Sequence, residues 1–221
     1  MRIAVAVDGP AGAGKSTIAK VLAKRFNLMY IDTGAMYRGV TLLSKRNNVS
    51  PEDTDILCRL IKSLEMHFSN DRLIINGEDV SEEIRKPEIS NNVSLYAAIP
   101  EVRELLVQLQ KEMSKKYDVV MDGRDIGTVV LSEAPFKFYL TASPEVRAKR
   151  RYDELLENGI NVEYNNIFQD IIKRDFIDTT RKANPLKKAD DAIEIDTSNL
   201  TVLKVVDKMS NYIRRKMSNQ L

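Results

Sequence analysis

Ile3-Ala-Val-Ala-Val-Asp8-Gly9-Pro10-Ala11-Gly12-Ala13-Gly14-Lys15-Ser16-Thr17 decides the fold. Its first half is a short apolar run, the pattern of a strand buried on both faces. Its second half fits G-x-x-x-x-G-K-[ST] without a mismatch. Glycines let the backbone curl so that successive N–H groups point inward at phosphate oxygens. The helix expected over Ser16 to Phe26 aims its positive end at the same place. Residues Gly9, Pro10, Ala11, Gly12, Ala13, Gly14, Lys15, Ser16 and Thr17 therefore read as the binding loop for a nucleoside triphosphate. Lys15 would reach the β- and γ-phosphates, and the Ser16 hydroxyl would ligate Mg²⁺.

Outward from this loop, short β-rich runs alternate with helical stretches, which predicts a parallel sheet covered by helices. Strands are expected at Leu28 to Asp32, Asp118 to Asp122, Phe136 to Leu140 and Ala192 to Asp196. Helices are expected from Ala35 to Ser44, Pro144 to Leu156, Tyr164 to Arg181 and Thr201 to Lys216. One region breaks the alternation. Ser50-Pro51 reads as the opening of a short helix. Leu64 to Phe68 and Leu73 to Ile75, with turns at Asn70-Asp71 and Asn76-Gly77, then read as a small antiparallel meander. A helix from Pro100 to Lys115 follows. Residues 45–102 are read as an insertion standing off the main sheet.

The composition excludes several classes. The 221 residues are 43% hydrophobic and 30% charged, enough for one globular core. Net charge is only +2, which argues against a broad nucleic-acid binder, so any anion must be gripped by local clusters. One cysteine, Cys58, and one histidine, His67, allow neither a disulfide framework nor a Cys/His zinc site. No run approaches the ~18 apolar residues of a membrane span, and no targeting segment is visible. A cytoplasmic monomer, bound to neither nucleic acid nor membrane, is the expectation.

Asp122 ends a hydrophobic strand, the position from which a carboxylate supports magnesium, directly or through a water. Arginines supply the other charges. Arg38 lies one turn into the helix after Asp32, and Arg124 follows Asp122-Gly123. Arg174, Asp178 and Arg181 are spaced to share a helix face, or to form a salt-bridge ladder. The Arg147-Ala-Lys-Arg150-Arg151 run reads either as cations for phosphate or as a solvated face. Phosphoryl transfer asks for fixed cations around spreading negative charge. A small-molecule kinase accounts for this set better than a P-loop protein that binds ATP only to move.

Three blocks carry a family resemblance: Asp8 to Ser16, Ile31-Asp-Thr-Gly-Ala-Met-Tyr-Arg38, and Met121-Asp-Gly-Arg-Asp-Ile-Gly-Thr-Val-Val130. Together they resemble the bacterial cytidylate kinases over nearly the whole chain. The resemblance implies a P-loop core over 1–44 and 103–221 with a lid within about 150–182. It also implies that 45–102 enlarges the monophosphate-binding part. The implied reaction is Mg²⁺-dependent transfer from ATP to CMP or dCMP, giving ADP and CDP or dCDP, in pyrimidine nucleotide metabolism. By the same resemblance Thr33, Arg38, Arg124 and Arg174 fall where the monophosphate is held. Ser94, Arg103 and Asp125 fall where cytosine is read, and Asp178 and Arg181 at the ribose and the transferring phosphate. Lys15, Arg124, Arg174 and Arg181, with Arg150 and Arg151 from the lid, are the expected catalytic cations. Cytosine offers an amino donor beside a ring-nitrogen acceptor, which suits a carboxylate next to an arginine or hydroxyl. Asp125 could instead only brace Arg124. A kinase for another monophosphate is the nearest alternative.

Overall fold

The computed structural model describes residues 3–157 and 159–219. Met1, Arg2, Asn158, Gln220 and Leu221, which fall inside the expected core and lid ranges, lie outside the described residues. Five parallel strands form the main sheet: β1 (Ala4–Asp8), β2 (Met29–Asp32), β6 (Val119–Gly123), β7 (Phe136–Thr141) and β8 (Ile193–Asp196). Their order across the sheet is β2-β6-β1-β7-β8. The three central strands are apolar on both faces because helices cover both. On one side α1 (Lys15–Phe26) and α9 (Val202–Ser218) bury Ile18, Leu22, Val206 and Met209 against Val5, Val7 and Phe136. On the other, α2 (Thr33–Arg46) and α6 (Pro100–Lys116) bury Met36, Val40, Val102 and Leu106 against Ala6, Ile31 and Met121.

The second core continues into residues 49–97. There α3 (Thr54–Lys62) precedes a three-stranded antiparallel sheet of β3 (Met66–Ser69), β4 (Arg72–Ile75) and β5 (Glu78–Asp79). Both hairpins turn on two residues of positive φ, Asn70-Asp71 and Asn76-Gly77, the turn whose twist matches the strands. Short helices α4 (Pro87–Ser90) and α5 (Val93–Ala97) lead into α6. Arg46, at the far end of α2 from Arg38, forks onto Glu78 at 2.8 Å and onto Glu83. The helix that presents Arg38 is therefore anchored to the small sheet at its other end. The remaining helices are α7 (Pro144–Glu157) and α8 (Tyr164–Thr180). No helix among the described residues is long and apolar enough to cross a membrane.

Two expected boundaries shift. The Ser50-Pro51 segment turns before α3 because the Ser50 N–H donates to the Asp53 carboxylate, at 3.1 Å, and the helix starts only at Thr54. Helix α8 stops at Thr180, one residue before Arg181, which is extended at ψ 144°. The Arg181 guanidinium donates to the Asn184 carbonyl at 2.6 and 2.9 Å, which draws the chain out of the helix.

The tightest approach in the sheet lies beside the loop that follows β1. Gly9 has φ 146°, and a Cβ there would lie 2.0 Å from the Leu140 carbonyl oxygen of β7. Strain of this kind costs on the order of 1–3 kcal/mol before any clash is relieved. Gly9→Ala should lower the urea midpoint of unfolding by at least that equivalent; an unchanged midpoint would contradict the packing described.

Candidate active site

The site forms where β1, β2 and β6 end side by side, because each of these strands stops at or next to an aspartate. Asp32 lies opposite Asp122, and Asp8 lies opposite Gly123. All three carboxylates are buried, and each is satisfied by a different element. Asp32 caps α2, accepting from the Ala35 N–H at 2.7 Å, and pairs with Arg38 at 3.1 Å. Asp122 accepts from the Ser16 hydroxyl and the Tyr30 hydroxyl, each at 2.8 Å. Burial, with Asp32 beside it, pushes the Asp122 carboxyl up to about 6. Asp8 accepts from the backbone N–H groups of Ile126 and Gly127 at 2.8 and 2.7 Å. The Thr33 hydroxyl donates to the Asp122 carbonyl at 2.7 Å, locking the start of α2 to the end of β6.

The phosphate-binding loop closes over this edge. Helix α1 begins at Lys15 behind Gly14, at φ 85°, and no side chain caps it. Its first N–H groups are therefore left for an anion. The Lys15 ammonium donates to the Pro10 carbonyl at 2.8 Å, inside its own loop. Burial and the nearby Arg124 guanidinium draw its pKa down to about 7.

Arginines gather opposite. Arg124 pairs with Asp178 at 2.7 Å, bridging the end of β6 to α8, and Asp125 pairs with Arg103, so the alternative in which Asp125 braces Arg124 is not what the structure shows. Arg174 is drawn down to about 10 by burial and by Arg124, with Arg38 and Arg151 also bearing on it. Its buried Nε and that of Arg38 have no hydrogen-bond partner. Burial works against the Asp178 carboxylate, but Arg124 and Arg174 hold it below the ordinary range. Asp178 and Asp32 offset part of this positive charge, and the remainder favours an anion.

A second buried network lies beside the first. Asp125 pairs with Arg103, whose guanidinium also donates to the Ala97 carbonyl at 3.0 Å and sits over the Tyr37 ring. Arg181 lies 3.6 Å from both Asp125 and Asp178, joining the two networks. Ser94 stands on α5, three residues before Ala97, and is half-buried; it makes no hydrogen bond to Arg103 or Asp125.

The two lid arginines go separate ways. Arg151 pairs with Glu154 at 2.9 Å on the partly exposed side of α7. Arg150 turns to the end of β8, donating to the Thr197 hydroxyl and carbonyl at 3.1 and 2.6 Å. The single Thr197 hydroxyl proton has two carbonyls in reach, Thr141 at 3.0 Å and Ala13 of the phosphate-binding loop at 3.2 Å, so Arg150 is held beside that loop where β7 and β8 end. Arg147, which the sequence leaves as a choice between phosphate cation and solvated face, is 3% exposed. It forks onto Asp175 and donates to the carbonyls of Ala142 and Ala11. Tyr30, Asp8 and the Arg147–Asp175 pair are the polar supports that sequence reasoning missed. For Asp8 a signal exists: it ends a buried apolar strand, as Asp122 does.

A parallel sheet with a phosphate-binding loop at its central strand and an arginine cluster facing it defines a P-loop phosphotransferase. A family model described as Cytidylate kinase matches residues 5–215. A cytidylate kinase of Clostridium tetani is 64% identical over 213 residues, 96% of this chain and 94% of that protein. One of Clostridium acetobutylicum is 64% identical over 217 residues, 98% of this chain and all of that protein. The chain belongs to the cytidylate kinase family. A solved shikimate kinase from Bacteroides thetaiotaomicron shares the fold, with a TM-score of 0.50 and 13% identity over 97% of this chain and 99% of that one.

Phosphates placed beside Lys15 favour its charged form, so its pKa in the complex lies above the value near 7 it has without them. Triphosphate binding is then strongest below the lower of those two values and weakens as pH rises through the upper one. ATP binding near pH 8 should therefore take up protons. Calorimetric titration in two buffers of different ionisation enthalpy reads this directly; no uptake would contradict the assignment.

Proposed function

We infer that the site transfers the γ-phosphoryl group of ATP to CMP or dCMP, giving ADP and CDP or dCDP. Family membership carries the reaction, and the single observation that carries its location is the cluster formed by Lys15, Arg124 and Arg174 around the strand ends. In this reading Gly9 to Thr17 hold the triphosphate, with backbone N–H groups and the α1 terminus directed at its oxygens. Lys15 leaves the Pro10 carbonyl for the β- and γ-phosphates. Arg38, Arg124 and Arg174, with Thr33, hold the acceptor's phosphate, and Arg181 and Asp178 stand at the ribose and the transferring group. An acceptor that is already a phosphate monoester needs no general base, because its second pKa is about 6. The chain's work is to bring two polyanions together and hold cations where charge spreads.

Mg²⁺ fits the Ser16 hydroxyl and Asp122 carboxylate, a pair of hard oxygen donors already 2.8 Å apart. Among the described residues no group of three or more His, Cys, Asp and Glu could hold a metal by itself. Phosphate oxygens and water would complete the shell, as is usual for this ion. When bound, it would neutralise charge on the β- and γ-oxygens. Residues 150–182 act as the lid, with Arg151 its cation toward phosphate and Arg150 its brace, and 45–102 as the acceptor-side insertion. The enzyme works as a monomer in the cytoplasm.

Lys15→Ala tests the catalytic reading. Losing one electrostatic donor to the transition state costs ~2.7–4 kcal/mol, so CMP-dependent ADP formation should fall roughly a hundredfold to a thousandfold. A folded variant with near-normal turnover would contradict it. Base choice rests on Asp125, with Arg103 and Ser94. The carboxylate accepts from the cytosine amino group, whereas UMP would set a carbonyl against it. Asp125→Asn should cost CMP roughly tenfold to a hundredfold in kcat/KM and lower the CMP-to-UMP ratio. Equal loss on both substrates would reduce Asp125 to a partner for Arg103 and Arg181.

A further inference from the structure

The segment after β6 that bears Arg124 and Asp125 does not continue into a regular helix. Ile126–Val130 forms a single wide turn, closed by the Val130 N–H to Asp125 carbonyl contact at 3.3 Å and the Leu131 N–H to Ile126 carbonyl bond at 2.7 Å. The first N–H groups of that turn, those of Ile126 and Gly127, do not point to solvent. They point at the two carboxylate oxygens of Asp8, one each, at 2.8 and 2.7 Å. Asp8 is the last residue of β1 and directly precedes Gly9. It is 3% exposed, so the bonds are sheltered from water. Position 127 is also fitted to the contact: a Cβ there would lie 3.2 Å from Asp8 Oδ2 and 3.3 Å from the Lys137 side chain.

Two charge-assisted bonds, donated by backbone N–H groups and accepted by a single buried carboxylate, therefore join the strand that feeds the phosphate-binding loop to the turn behind Arg124-Asp125. None of the phosphate or base contacts proposed above uses Asp8. We propose that Asp8 is a positioning residue for the acceptor site, holding the Arg124-Asp125 segment in register with the triphosphate loop. This rests on the reading of Arg124 and Asp125 as acceptor-binding residues. An amide at position 8 would keep one acceptor and turn its NH₂ toward the other N–H, so the turn would lose its hold on one side.

The test compares Asp8→Asn, Gly127→Ala, the double variant and Asp125→Asn, each with its thermal midpoint. Asp8→Asn should raise KM for CMP roughly tenfold, move KM for ATP by less than about twofold, and lower the CMP-to-UMP ratio. Gly127→Ala crowds the same contact from the other side without replacing the carboxyl group, and should reproduce that split; it carries the test alone if Asp8→Asn does not fold. The double variant should be no worse than the more affected single one, since both break one contact. Equal rises in KM for ATP and CMP, or no rise for CMP, would overturn the proposal. If Asp125→Asn lowers the ratio while Asp8→Asn leaves both KM values unchanged, the positioning role fails and base reading stands. If Asp125→Asn leaves the ratio unchanged while Asp8→Asn still raises KM for CMP, base reading fails and the positioning role stands through Arg124.

Discussion

Three buried carboxylates at the ends of three neighbouring strands are the constraint from which the site follows. A carboxylate out of water must be hydrogen-bonded or paired, or it gives up its charge. Here each finds donors on a different piece of chain: Asp32 on the first turn of α2 and Arg38, Asp122 on Ser16 and Tyr30, Asp8 on the turn after Asp125. Satisfying them pulls α1, α2 and the acceptor-side turn to one edge of the sheet. That edge lies at the carboxyl ends of parallel strands, where α/β sheets bind ligands.

The arginines complete what the carboxylates begin. Arg124, Arg174 and Arg38 crowd within reach of one another, with Asp178 and Asp32 as partial counter-charges. Burial first, and the Arg124 guanidinium second, draws Lys15 and Arg174 down, so both gain from an anion beside them. In the proposed reading, two bound phosphorylated nucleotides would supply those anions, with the greatest gain where charge spreads in transfer. The Arg103–Asp125 pair is a different device. It is buried, hydrogen-bonded to the Ala97 carbonyl and approached by Arg181, the fixed polar setting that the proposed base reading requires.

Much of this was legible in the sequence because local chemistry dictated it. The phosphate-binding loop, all five strands of the main sheet and the two hairpin turns follow from glycine, asparagine and apolar runs acting over a few residues. Strand order did not, since β6 lies between β1 and β2 only through contacts made across 87 or more positions of chain. The short helices α4 and α5 lack the length for a periodic signal. Arg147 shows the same limit in a side chain. On a helix beside Lys149, Arg150 and Arg151 it reads equally as a phosphate cation or a solvated one, and only the arrival of Asp175 and the Ala11 carbonyl makes it an interior support. The spacing puts Arg181 on the same helix as Asp178, but α8 ends one residue earlier, and its guanidinium still reaches Asp125 and Asp178.

That a strand-end row of carboxylates and an arginine cluster serve one acceptor class is tested most directly on the wild-type chain. ADP formation from ATP, measured with CMP, dCMP, UMP, AMP and no acceptor, separates the alternatives in a single assay. Turnover should depend on CMP or dCMP and be far slower with UMP and AMP. ADP formation independent of acceptor, or equal rates across the four monophosphates, would contradict it.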